Sequence, residues 1–178
     1  MSFRIAGLAA VLVLALPQAA VSQASPDLSD AQVAHVAITA NTIDADAGEV
    51  AVSKARSSEV KRFAEMMKRD HTAVNERAAA LAKKLGVTPE DNAVSQSLLQ
   101  GADEARSKLE PLRGAEFDRA YIEREIAFHQ AVLDALDKVL IPTTENAELK
   151  QLLVEARPAF AAHLQYAKQV GQKVHAAK

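Results

Sequence analysis

The chain has 178 residues, 49% of them apolar, a formal net charge of −2 and neither cysteine nor tryptophan. That balance holds no basic patch interleaved with aromatics, which argues against a nucleic-acid partner. The missing cysteine excludes structural disulfides, lipid attachment at a lipobox and haem attachment through Cys-x-x-Cys-His.

Residues 1–24 read as a secretory signal peptide. Arg4 supplies the positive start, Ile5 to Leu16 is an apolar run, and Ser22-Gln23-Ala24 offers small residues for cleavage after Ala24. The run is about twelve residues, short of the ~20 a spanning helix needs. No later segment is long or apolar enough to span a bilayer, so a periplasmic or secreted protein is expected. Residues 25–28 then form a linker, and 29–175 form one domain. A mature chain of about 154 residues suffices to bury roughly 68–70% of its unfolded surface. Without Arg4 its net charge becomes −3. Glycine and proline are scarce while Ala, Glu, Lys and Leu abound, the composition of an all-helical protein.

Ser29 followed by Gln32 is a capping-box signature and opens a helix over about Asp30 to Ala55. Its stripe is Val33, Ala37, Ala40, Asp44, Ala47 and Ala51: small side chains interrupted by one acid. Gly48 marks a bend or a close helix contact. A second helix starts at Ser57 or Ser58 and stops at Gly86, suited to the left-handed C-terminal position. Val60, Met67, Val74 and Leu81 recur every seven residues on it, with Ala64, His71, Ala78 and Leu85 four after each. That is an apolar stripe facing a core, and His71 lies on it. Met66 and Met67 read as packing residues.

Thr88-Pro89-Glu90-Asp91 looks like a new start, with Pro89 at the first helical position. A shorter helix over about Asn92 to Leu109 follows, ended by Pro111 and Gly114. The next long helix covers about Ala115 to Leu140, with Ile122, Glu125, His129, Val132, Leu136 and Val139 on one side. After a turn at Ile141-Pro142-Thr143, the last helix runs from beyond Thr144 to about Val174. It carries Leu149, Leu152, Ala156, Phe160, His163, Ala167 and Val170, and a kink or break is expected at Pro158. No strand alternation survives. The pattern is an all-α four-helix bundle with a shorter helical crossover between the second and third long helices.

Each long helix thus places one polar residue on its core face. A helix rises about 1.5 Å per residue, and Asp44 and His71 lie at similar distances from the turn joining their helices. If the crossover returns the chain, His129 matches His71 in height to within ~3 Å. His163 counts out five to seven residues from that level. Glu125 stands one turn before His129 on the same face. Asp70 points towards the edge of the stripe, and His35 and His175 read as solvated. Three imidazoles and a carboxylate suit one transition-metal ion (Zn, Fe, Cu or Mn) held by Asp44, His71, His129 and His163. A purely structural hydrogen-bonded cluster is the rival.

The run EVKRFAEMMKRDH, then FDRAYI at Phe117 to Ile122, then His129, then a proline followed by His163, resembles a bacterial secreted family. Its members are filed as a domain of unknown function and described as outer-membrane or periplasmic proteins. The resemblance covers about residues 28–170. It implies a ferritin-like bundle and carries no activity with it. The family's helix-1 acid, commonly Glu, falls on Asp44, and its Asp-His pair on Asp70 and His71. Its Phe-Asp-x-x-Tyr element falls on Phe117, Asp118 and Tyr121, and its later histidines on His129 and His163. Two departures stand out: Asp44 is one methylene shorter than Glu, and Arg157 precedes the proline where Leu is usual.

Ferritin-like oxidases build a di-metal site from Glu-x-x-His pairs. Here Lys68, Ile126 and Phe160 stand three before the core histidines, so a mononuclear site or none is expected. A non-enzymatic role in metal handling or envelope stress leads. A structural or interaction module is the alternative, and a catalytic metal site assisted by Tyr121 or Glu125 is a third. No protein partner is indicated, and monomer and dimer both fit.

Overall fold

The structure, a computed structural model, describes residues 27–176. The signal-peptide reading over 1–24 lies outside the described residues. Within them the chain is all-helical, with no strand. α1 spans Asp30–Lys54, α2 Ser58–Leu85, α3 Ala93–Leu109, α4 Gly114–Ala135 and α5 Ala147–Ala176. No described helix is long and apolar enough to cross a membrane.

The expected end signals hold. Ser29 and Gln32 form the capping box of α1, and Gly86 takes the left-handed conformation, φ 65°, that closes α2. Two turns between helices are pinned by acids from elsewhere in the chain. Asp118 accepts from the backbone N–H of Arg56 (3.0 Å) and Ser57 (2.8 Å), fixing the α1–α2 turn. Asp30 accepts from the N–H of Glu145 and Asn146, both 2.9 Å, fixing the entry to α5. Each supplies a partner to backbone donors that a helix start leaves unpaired.

Three boundaries differ from expectation. Pro89 is not in a helix: Glu90 N–H donates to Ala31 O at 3.0 Å, tying the segment across α1, and α3 begins only after Asn92, whose side chain caps it. α4 does not stop near Leu140 but continues through a π-helical turn, Leu136–Leu140, and a last turn, Ile141–Thr143, that includes Pro142. α5 runs without a break through Pro158; only the carbonyl of exposed Val154 loses its helical donor there.

α1 packs on α2, α2 on α5, α5 on α4, and α4 returns to α1, while α3 lies over α1 and α4. At Gly48 the backbone of α1 comes close to that of α2. A Cβ there would sit 2.8 Å from Ala64 O and 2.9 Å from Lys68 N, so only glycine lets the backbones approach. Inside, the apolar residues divide into two clusters. One gathers Val33, Val36, Leu133, Leu136, Leu140, Leu149, Leu153 and Phe160. The other gathers Ala51, Val60, Phe63, Met67, Phe117, Tyr121, Ile122, Ala167 and Val170. Along α1 the chain passes from the first to the second, along α2 and α4 from the second to the first, and along α5 back again. α2 and α4 are therefore parallel, as the crossover demanded. The polar residues fall between the clusters.

Candidate metal centre

Asp44, His71, His129 and His163 meet there, one from each long helix, all buried. The ring centroid of His163 is 5.1 Å from that of His71 and 5.5 Å from that of His129. The height offset expected for His163 is thus corrected. Because α4 extends to Thr143 and α5 starts at Ala147, His129 lies fourteen residues before one end and His163 sixteen after the other. That is a difference of about 3 Å of helical rise.

The hydrogen bonds on the outer side of each ring fix which nitrogen carries its proton. Asn41 donates its amide to Ala37 O at 2.8 Å, which turns its oxygen towards His71, so His71 Nδ1–H donates to Asn41 Oδ1 at 2.8 Å. His129 Nδ1–H donates to the carbonyl of Glu125 at 3.0 Å. His163 Nε2–H donates to Asp70 Oδ2 at 3.1 Å. A neutral imidazole so held presents a lone pair on its other nitrogen. Those other nitrogens, Nε2 of His71 and His129 and Nδ1 of His163, are all buried without a hydrogen-bond partner.

Asp44 Oδ2 shares their situation. It lies 2.8 Å from His71 Nε2 and 3.4 Å from His129 Nε2. With the His71 proton on Nδ1, no hydrogen fills the shorter separation, and both atoms stay unpartnered. One ligand atom from each of His71, His129 and His163 lies within 4.8 Å of the others, and the same holds for Asp44, Glu125 and His129. Ligands ~2.0–2.1 Å from a tetrahedral ion stand about 3.3 Å apart, a spacing that the Asp44 Oδ2 separations of 2.8 and 3.4 Å bracket.

The other carboxylate oxygens face away. Arg124 Nη1 donates to Asp44 Oδ1 and, at 2.6 Å, to Glu125 Oε1. Burial works to raise the Asp44 carboxyl, but His71, Arg124 and His129 outweigh it and hold the group far below its usual range. Glu125 goes the other way, pushed well up by burial and by the charge on Asp44 against the pull of Arg124. Burial, with His71 nearby, lowers His129 to about 4 and lowers His163 as well. Burial and Glu125 push the unpartnered phenol of Tyr121 up. Burial therefore favours the neutral, metal-ligating form of His129 and His163.

Residues 15–170 match the family described as domain of unknown function DUF4142. The chain belongs to that family. No curated protein and no solved structure matches it. Within this DUF4142 chain, Asp70 and Asp118 have definite partners, His163 and the α1–α2 turn respectively. Asn41 and Arg124 escaped the sequence reading. Asn41 lies three residues before Asp44 on a helix, a spacing that could have exposed it. Arg124 lies beside Glu125, off the apolar stripe. His35 is half-buried beside Thr39 and Asp91, and His175 is exposed near Glu123, both away from the centre.

Proposed function

We propose that this is a periplasmic, ferritin-like four-helix-bundle protein that binds one transition-metal ion through Asp44, His71, His129 and His163. Its role is metal handling or envelope stress tolerance rather than catalysis. One observation carries this reading: every core imidazole has its outer N–H engaged by a protein acceptor while its lone pair points inward, unpartnered. Metal-ligating histidines are oriented in this way, by an acceptor on the far nitrogen. Three lone pairs and a carboxylate oxygen turned towards each other repel unless a cation stands among them. The three-nitrogen, one-oxygen set fits Zn, Fe, Cu or Mn. His129 belongs to both groupings of ligand atoms, which supports one centre rather than two.

A structural reading draws on Arg124, which already pairs with both buried carboxylates. On that reading the layer fixes helix register, a use attested for buried polar groups. The two separate in a thermal titration of chelator-treated protein with each divalent ion. Saturable binding at a hundredfold excess over Kd adds about 2.7 kcal/mol, raising Tm by roughly 5–11 °C for a domain of this size. His71→Ala abolishes the rise. If no ion shifts Tm, while His129→Ala lowers it, the layer is structural.

A further inference from the structure

Three ionisable side chains sit where an apolar core requires none: Asp44, Glu125 and Arg124. Asp44 and Glu125 are both 0% exposed, and each divides its oxygens in the same way. Asp44 Oδ1 and Glu125 Oε1 accept from Arg124 Nη1. Asp44 Oδ2 faces His71 Nε2 and His129 Nε2, Glu125 Oε2 lies 3.5 Å from His129 Nδ1, and neither oxygen has a hydrogen-bond partner. Two buried carboxyl groups thus share one guanidinium. A divalent cation between Asp44 Oδ2 and the imidazoles would outweigh the guanidinium's single charge. It would also repel the guanidinium across a short, poorly screened distance.

Arg124 has room to withdraw. Its side chain is 12% exposed and lines a groove of about 560 Å³ with Ile43 and Ala47 of α1, Leu99 and Ala102 of α3, and Tyr121 of α4. Its guanidinium already stands 4.4 Å from the centre of the Phe128 ring, a face that accommodates a cation. α3, which borders the groove, has a single buried residue, Ser95, while its Val94, Leu98 and Leu109 are only partly buried against the core clusters.

We infer that Arg124 is an exchangeable counter-cation of the centre: a divalent metal replaces it at Asp44 and Glu125, and the guanidinium moves into the groove between α1 and α3. This rests on the metal-binding reading above. It makes Arg124 a specificity determinant, since an ion of single charge gains no advantage over the guanidinium at Asp44.

The test uses the full chain and Zn²⁺ alone. Phenylglyoxal labelling, read by peptide mass spectrometry, reports access to each arginine. Arg124 should be slow to label in chelator-treated protein and at least fivefold faster with one equivalent of Zn²⁺, with exposed Arg62 unchanged as a control. An Arg124→Gln variant, which keeps donors but no charge, should bind Zn²⁺ at least tenfold more tightly in competition with a chelator. Zn²⁺ bound one-to-one with Arg124 labelling unchanged overturns the inference and leaves the metal site standing, whether or not the variant folds. Equal or weaker binding by a folded Arg124→Gln protein overturns it too. Absence of Zn²⁺ binding to the wild type removes both readings together.

Discussion

The interior is built by two different rules. The cluster around Val33, Leu136 and Leu153 and the cluster around Phe63, Phe117 and Tyr121 are close-packed apolar regions whose residues recur at helical spacing. Between them lies a layer where Asp44 Oδ2, His71 Nε2, Glu125 Oε2, His129 Nε2 and His163 Nδ1 are all buried and unpartnered. Native interiors leave few such atoms, and each costs about 1–3 kcal/mol when unsatisfied. The end clusters account for folding. The middle layer is unfavourable for folding alone, and its concentration of unmet lone pairs in one place is what points to a ligand.

That contrast can be attacked from either side. The largest effect belongs to the apolar ends: Phe63→Ala should lower stability by about 3–5 kcal/mol while metal stoichiometry of the folded fraction stays as in wild type. Urea unfolding and metal analysis of the same sample check both halves. Loss of metal from folded protein would mean the layers are not separable.

Gly48→Ala tests the scaffold beside the layer. Its Cβ would meet the α2 backbone at 2.8 Å, and backbone cannot give way as a flexible side chain can. A loss of about 1–3 kcal/mol and weaker metal binding are expected, because Asp44 and His71 lie on the two helices forced apart. A loss below about 0.5 kcal/mol would show that α1 can shift freely.

Asp70→Ala reaches the layer from outside, removing the acceptor for His163 Nε2–H together with an exposed pairing to Arg69. Such an outer partner is worth about 10–100-fold in metal affinity, with metal-free stability changed little. Isothermal titration decides it. An unchanged affinity would place His163 outside the ligand set.

The smallest effect is the pH profile of the metal-free protein. His129 falls from 6.5 to about 4 on folding and His163 shifts the same way, so the unfolded chain binds more protons below pH 6.5 and stability is lost as pH falls through that window. Glu125 shifts upward, so above its ordinary 4.5 it holds a proton that the unfolded chain has released, and stability declines as pH rises. The two imidazoles outweigh it between about pH 4.5 and 6.5. Urea midpoints should therefore rise with pH up to about 6.5, with slopes of up to about 1.4 kcal/mol per pH unit per proton. A profile falling across that window would contradict the assignment of His129 and His163.

The helices were legible because their cues are local. Ser29 with Gln32 and Gly86 mark ends by backbone chemistry, and the seven-residue recurrence through Val60 and Met67 records a buried face. His71 and His129 could be placed by counting rise along a helix. His163 could not, because the π-helical turn at Leu136–Leu140 and the helical turn through Pro142 lengthened α4 beyond what proline suggested. Pro89 misled for the opposite reason: a bond to Ala31, distant in sequence, holds its segment extended. Asn41, Asp70 and Arg124 act on the far side of the ligands, at positions where polar residues are ordinary. Only their partners distinguish them.

The account stands or falls most directly on the metal content of the protein purified without an affinity tag, measured by elemental mass spectrometry. It predicts about one equivalent of a single transition metal, lost in a His71→Ala variant that remains folded. No metal in the wild type, even after reconstitution, would contradict it and leave the layer as a structural device.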